Sequence, residues 1–185
     1  MAAKQPLLRT LFHLLGAVIP ITYLAWGKGA ALTLGAVIFL LLAVCDTLRL
    51  KGVFTPPSFV TRRLKEKEAK RPTGSLFYVG SCLLTILLFD RSTALASMCV
   101  LIVSDPLSSM IGSRWGGLVL CGKSLEGTAV FLFSAMIVIT CFHFGTLAAL
   151  GGACAATAAE LFSTMFIDDN FSIPLACALA LRFLS

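Results

Sequence analysis

The chain has 185 residues, of which 58% are hydrophobic and 13% charged. Its mean hydropathy is +0.94, and since soluble domains carry roughly a quarter charged residues, a water-soluble globular protein is excluded. Six or seven spans of about 20 apolar residues each would consume nearly the whole length, so residues 1–185 read as a single membrane-embedded domain.

Taken in chain order, apolar runs broken by Gly, Pro and charge predict helices over Leu7–Trp26, Ala30–Leu50, Ser75–Phe89, Thr93–Ile111, Thr128–Phe144, Thr146–Phe166 and Phe171–Leu184. The expected fold class is all-α, a polytopic bundle of about seven transmembrane helices. Continuous rather than alternating apolar runs favour helices over barrel strands. The first run follows Lys4 and Arg9 as a signal-peptide core would, but Gly27-Lys28-Gly29 offers no A-x-A cleavage site and the run reads as a span. Seven cysteines lie scattered with no C-x-x-C pair, as small core residues rather than disulfides or metal ligands.

If all seven runs cross, Lys4, Arg9, Arg49, Lys51, Arg62, Arg63, Lys65, Lys67, Lys70, Arg71, Arg114 and Lys123 share one side. Only Lys28, Arg91 and Arg182 face the other. The positive-inside rule puts the N-terminus, the basic loop 51–72 and the loop 112–127 in the cytoplasm. The net charge of +6 is then mostly an orientation signal, and no nucleic-acid partner is implied. In the basic loop, Pro56-Pro57 precedes a stretch with Arg62/Glu66 and Glu66/Lys70 at i,i+4 spacing. A short membrane-surface helix and a plain solvated orientation signal both fit it.

The acids check the assignment independently. Asp46, Glu66, Glu68, Asp105, Glu126, Glu160, Asp168 and Asp169 fall in or near the cytoplasmic half, and only Asp90 is opposite. Asp105 precedes Gly112 by seven residues and Glu160 precedes Asp168 by eight, depths of roughly 10 to 12 Å at 1.5 Å per residue. Carboxylates inside a membrane are costly and face the bundle interior or a wet cavity, which makes these two functional candidates. The run Gly151 to Ala159 before Glu160 holds only small side chains and predicts close helix approach there. His13 lies one turn after Arg9, whereas His143 falls at the opposite end of the bundle, so the two cannot share a metal.

The segment Gly112 to Gly127 carries five glycines besides Arg114, Lys123 and Glu126. Gly117-x-x-x-x-Gly122-Lys123-Ser124 satisfies the P-loop spacing, but that motif needs a preceding β-strand, and a membrane helix precedes it here. A phosphate-handling loop at the membrane surface remains the expectation, with Lys123 and Arg114 as cations. Gly112, Gly116, Gly117, Gly122 and Gly127 would let backbone amides approach phosphate.

The ordered motifs resemble a family, the CTP-dependent lipid kinases that include dolichol kinase, phytol kinase and the CTP-using diacylglycerol kinase. Arg9-Thr10-Leu11-Phe12-His13 is similar to that family's Arg-Lys-x-x-His, and Ser104-Asp105-Pro106 with Gly112-Ser113-Arg114-Trp115-Gly116 to its Gly-Asp and Gly-Arg-x-x-Gly. Lys123-Ser124-Leu125-Glu126-Gly127 matches Lys-Ser-x-Glu-Gly, and Glu160 with Asp168-Asp169-Asn170 and Pro174 resembles the closing block. Thr10, Asp46 and Ser104 depart from the family's usual Lys, Glu and Gly.

The resemblance implies transfer of the γ-phosphoryl group of CTP to the hydroxyl of a membrane lipid alcohol at the cytoplasmic face, with Mg²⁺. It implies Asp105, Lys123 and Glu160 as catalytic residues. Nucleotide contacts would come from Gly112, Arg114, Gly116, Gly117, Lys123, Ser124, Glu126, Gly127, Asp168, Asp169 and Asn170. Metal ligands would be drawn from Asp105, Glu160, Asp168 and Asp169, and phosphate or lipid contacts from Arg9, His13 and Asp46. Asp168 would serve equally well as a helix cap. The rival readings are a phosphatidate cytidylyltransferase-like enzyme, whose Lys-Asp, His-Gly-Gly and Asp-Arg signature is missing, and a small ion-coupled transporter. Oligomeric state and the particular lipid alcohol are not legible.

Overall fold

The computed structural model describes residues 16–53, 71–163 and 168–185. Arg9, His13, most of the basic loop 51–72 and residues 164–167 lie outside the described residues. The described chain is helical apart from one small hairpin, in the order α1 (Val18–Leu50), α2 (Gly74–Leu88), α3 (Arg91–Trp115), β1 (Val119–Leu120), β2 (Lys123–Ser124), α4 (Leu125–Cys141), α5 (Thr146–Leu161) and α6 (Asp169–Leu184).

α1 is two limbs joined at Gly27, whose φ of 84° and ψ of −173° are open essentially to glycine alone. Ile19 Cδ1 lies 4.0 Å from where a Cβ on Gly35 would sit. In an unbroken helix, sixteen residues would separate the two by roughly 24 Å. The chain therefore folds back at Gly27, and the limbs run antiparallel. Counting them separately, the seven helical segments match the seven apolar runs in order.

α3 is the central helix. It packs chiefly on α4 and α6, while α6 also meets α5 and α2, and α1 lies outside against α2. Its start is capped by Asp90, whose carboxylate accepts from the Thr93 amide at 3.1 Å. Burial raises the Asp90 carboxyl, but the Thr93 bonds and the Arg182 charge outweigh it and hold its pKa below the ordinary value. On α5, Ala149, Gly152, Ala153, Ala156 and Glu160 are buried at spacings of three and four, which is one helix face. A Cβ on Gly152 would stand 2.8 Å from Leu181 of α6, so the small residues bring the two helices close, as expected, and place Glu160 on the buried face.

Charged groups collect at the two ends of the bundle. At one end Lys28 donates to the Leu87 carbonyl, and Arg91 donates to the Leu24 carbonyl at 2.6 Å with its guanidinium over the Tyr23 ring. At the other end stand Asp46, Arg49, Lys123, Glu160 and Asp169. α1 and α3 are long and apolar enough to cross a membrane. Only 17% of the most apolar stretch of α1 is buried, leaving Leu40, Leu41 and Val44 exposed, an apolar surface of the kind that marks a membrane or protein interaction face.

One boundary needs correction. The loop expected over 112–127 is shorter, residues 116–124, because α3 continues through Gly112 and Arg114 to Trp115 and α4 begins at Leu125. Between them stands only the hairpin. Asp105 is thus ten residues from the end of its helix, roughly 15 Å at the helical rise rather than 10. Glu160 shifts the other way, since α5 ends at Leu161 and the acid sits in its last turn.

Candidate functional site

Two acids meet Lys123, and a third acts on one of them. The hairpin turns through Cys121 (φ 51°) and Gly122 (φ 82°), two consecutive left-handed residues that bring antiparallel strands together in a two-residue turn, and pairs Leu120 with Lys123. The Lys123 ammonium donates to Glu160 Oε1 at 2.5 Å and lies 3.8 Å from Asp169 Oδ2. Asp105, 2% exposed on α3, adds its charge at Glu160 together with that of Asp169. The hairpin, the end of α5, the start of α6 and the middle of α3 therefore converge.

Local structure explains each position. A carboxylate in the last turn of α5 faces the negative end of the helix dipole, so Glu160 needs the cation that Lys123 supplies. Asp169 stands in the first turn of α6, where an acid is favoured. Asp168 caps that helix, accepting from the Asn170 amide at 3.0 Å and from the Asn170 side chain at 2.7 Å. Ser81 of α2 donates to the Asn170 carbonyl at 2.9 Å, fixing where α6 begins. Sequence reasoning passed over Ser81, and its only signal was a hydroxyl in the middle of a short apolar run.

Among the described residues the second oxygen of Glu160 is buried without a hydrogen-bond partner, a feature that fits a hard cation. Among the described residues no three or more His, Cys, Asp or Glu side chains stand at metal-binding distances from one another. A Mg²⁺ ion would take one or two carboxylates and fill its remaining positions with phosphate oxygens and water. Glu160 and Asp169 would be its ligands.

The glycines do something other than cradle phosphate. A Cβ on Gly112 would overlap Ser124 Oγ, one on Gly116 would overlap the Gly112 carbonyl, and one on Gly127 would stand 2.8 Å from both the Ser108 carbonyl and Ser124 Oγ. The amides are engaged as well. Gly116 N–H donates to Gly112 C=O, Gly127 N–H to Ser124 Oγ at 3.1 Å, and Gly117 N–H to Glu126 Oε1 at 2.9 Å. Gly112, Gly116 and Gly127 thus form a knot that lets α3, the hairpin and α4 close around the Ser124 cap, and the expected amide cradle is corrected to a packing device. Gly122 alone is held open by its left-handed φ with nothing nearby.

Other candidates separate from the cluster. Asp46 accepts from Arg49 Nε at 3.1 Å and from the Thr73 amide and hydroxyl at 2.7 and 3.0 Å, so the phosphate contact expected of it gives way to a tie between α1 and the start of α2. Arg114 is exposed, with its guanidinium 5.1 Å from the Trp115 ring centroid. Ser104, beside Asp105, is buried, and its hydroxyl has no hydrogen-bond partner among the described residues.

The latch from Glu126 to Gly117 should be pH-sensitive. Bonds from its own amide and from the Gly117 amide hold the Glu126 carboxyl below the usual range, so the ionised form stabilises the fold. This contribution is fully present above the unfolded-state pKa of about 4.3 and is lost as pH falls through the lower folded value. The stability difference between wild type and Glu126→Gln should shrink over that acidic interval, measured by unfolding at a series of pH values. A pH-independent difference removes the latch.

No protein-family model matches the chain, and no solved structure matches it. The uncharacterized protein RP860 of Rickettsia prowazekii (strain Madrid E) is 30% identical over 190 residues, covering 93% of this chain and 91% of that protein. With that identity over nearly the full length of both, the chain belongs to the same family as this Rickettsia protein.

Proposed function

We propose that the protein is an integral membrane kinase that transfers the γ-phosphoryl group of CTP to the hydroxyl of a lipid alcohol such as a polyprenol, a phytol-like alcohol or diacylglycerol. The observation that carries the reading is the meeting of Lys123 with Glu160 and Asp169. It unites separate blocks of the resemblance at one point, where the chemistry of phosphoryl transfer requires a cation and carboxylates together. The choice of CTP comes from the resemblance.

In this reading the seven helical segments all cross the bilayer with the N-terminus in the cytoplasm. The unburied apolar face of α1 and the gathering of charge at the two ends support it. Helices of 15 to 17 residues such as α2, α4, α5 and α6 cover roughly 22 to 26 Å, which a locally thinned bilayer accommodates. Cysteines introduced as Lys51→Cys and Lys28→Cys in a chain cleared of its own thiols test the orientation. An impermeant thiol reagent should label the first only from the cytoplasmic side and the second only from the other; the opposite pattern inverts the bundle.

Depth divides the labour. Lys123, released from Glu160, takes the triphosphate. Glu160 and Asp169 would hold Mg²⁺, which when bound neutralises phosphate charge and polarises the γ-phosphoryl group. Asp105, deeper in α3, meets a hydroxyl arriving from the hydrocarbon side and accepts its proton. The lipid oxygen then bonds to the γ-phosphorus as the bond from that phosphorus to the β–γ bridging oxygen breaks, leaving CDP and a lipid phosphate. Asn170 and Asp168 hold the start of α6 so that Asp169 faces Lys123.

The test is incubation of the purified, reconstituted protein with labelled CTP or ATP, Mg²⁺ and a panel of lipid alcohols, with identification of the product. A phosphorylated lipid and CDP are expected, and Asp105→Asn should lower turnover by about 10²- to 10⁴-fold, the span of a general base, with little change in KM for CTP. CDP-lipid and pyrophosphate would point to a cytidylyltransferase. Solute uptake without nucleotide would point to a transporter.

A further inference from the structure

At the end of α3 the chain leaves the bundle as a hairpin with its large apolar side chains uncovered. Trp115 is 61% exposed and Val119 75%, with Leu118 and Leu120 exposed between and beside them. This is built structure rather than a loose loop. The Leu125 amide donates to the Leu118 carbonyl at 2.8 Å, the Gly117 amide is held by Glu126, and the turn at Cys121 and Gly122 is tight. Rigid backbone therefore holds four large apolar side chains outward, where water would oppose them.

Two further features say what covers them. Val103, Leu107 and Met110 are exposed on a helix whose other residues from Thr93 to Gly112 are buried or half-buried, and at spacings of four and three they form one face, with Arg114 four residues beyond. An apolar stripe thus runs along α3 and ends at the base of the hairpin. There the Arg114 guanidinium lies over the Trp115 ring. An indole at the end of an apolar stripe, with a cation stacked on it, suits the headgroup layer of a bilayer, where aromatic rings settle and basic side chains reach lipid phosphate.

We propose that Trp115, Leu118, Val119 and Leu120 insert into the headgroup layer of the bilayer around the bundle, with Arg114 on a lipid phosphate. The inference rests on the membrane reading and not on the reaction. The same hairpin carries Lys123 to the acids, so its depth in lipid sets the depth of that cluster.

The chain has two tryptophans, Trp26 and Trp115, which makes the test direct. Trp26→Phe leaves Trp115 as the reporter and Trp115→Phe leaves Trp26; each full-length variant is placed in nanodiscs, and quenching by lipids brominated near the headgroup is compared with quenching by aqueous acrylamide. Trp115 should be quenched severalfold more by brominated lipid than by acrylamide. Adding Val119→Asp should reverse that preference, while the same substitution leaves Trp26 quenching unchanged in the companion variant. If Trp115 answers to acrylamide alone while Trp26 answers to brominated lipid, the hairpin lies in water and the inference is wrong. Lipid quenching of Trp115 that survives Val119→Asp likewise overturns the hairpin as the inserted element. Should neither tryptophan sense brominated lipid, the membrane reading itself fails and takes this inference with it.

Discussion

Lys123→Ala should reduce lipid phosphorylation by about 10²- to 10³-fold, the effect of removing one preorganised group that stabilises transition-state charge. It should also weaken the fold, because Glu160 is left with its charge buried in the last turn of α5. Breaking a fully buried pair costs about 3 to 5 kcal/mol. Since the Lys123 side chain is 28% exposed, water screens part of the pair and about 1 to 3 kcal/mol is the expectation. The two effects separate in the double variant Lys123→Ala with Glu160→Gln. Stability, followed by thermal unfolding in detergent, should partly return, because position 160 no longer carries a buried unpaired charge. Turnover should not. Recovery of both would make the pair a structural clamp and remove Lys123 from the chemistry.

Gly112→Ala sets two effects against each other. Alanine is favoured over glycine inside a helix by about 1 kcal/mol, and Gly112 lies within α3. Its Cβ would nevertheless overlap Ser124 Oγ, in a knot where Ser124 cannot withdraw without giving up its bond to the Gly127 amide. Overpacking costs about 1 to 3 kcal/mol, so net destabilisation is expected, with displacement of the hairpin and Lys123. Ser124→Ala alone should cost about 1 kcal/mol as a lost cap. Together the two substitutions should cost less than their sum, because removing the hydroxyl removes the overlap. A neutral or stabilising Gly112→Ala would mean the contact is looser than the structure has it.

Much of the architecture was legible before any coordinates. The seven apolar runs correspond to seven helical segments because backbone hydrogen bonds within a helix are local, and a run of apolar residues bounded by Gly, Pro or charge carries its own length and ends. The fold-back at Gly27 was legible for the same reason, as was the close approach of a neighbouring helix to α5 from its run of small residues. Asp168 was open to two readings, a cap and a site residue. Its bonds to Asn170 establish the first, and the position of Asp169 next to it leaves the second available.

The glycines of the segment 112–127 show where local reading stops. A missing Cβ either frees an amide for a ligand or makes room for a neighbouring chain, and the letter is the same in both cases. At Gly112, Gly116 and Gly127 the neighbours are Ser124, a carbonyl of α3 and Ser108, and nothing in the order of residues names them. Asp46 was misjudged on the same ground, since its partner Thr73 is 27 residues away.

Membrane-scale hydropathy and helix boundaries near charge breaks follow from the chain alone, because each depends on a residue and its near neighbours in sequence. Tertiary packing decided the rest: that Lys123 answers the helix-end charge of Glu160 37 residues away, and that the glycines are spacers. Those outcomes depend on which helix stands opposite, and charge compensation in a low-dielectric interior acts across space rather than along the chain.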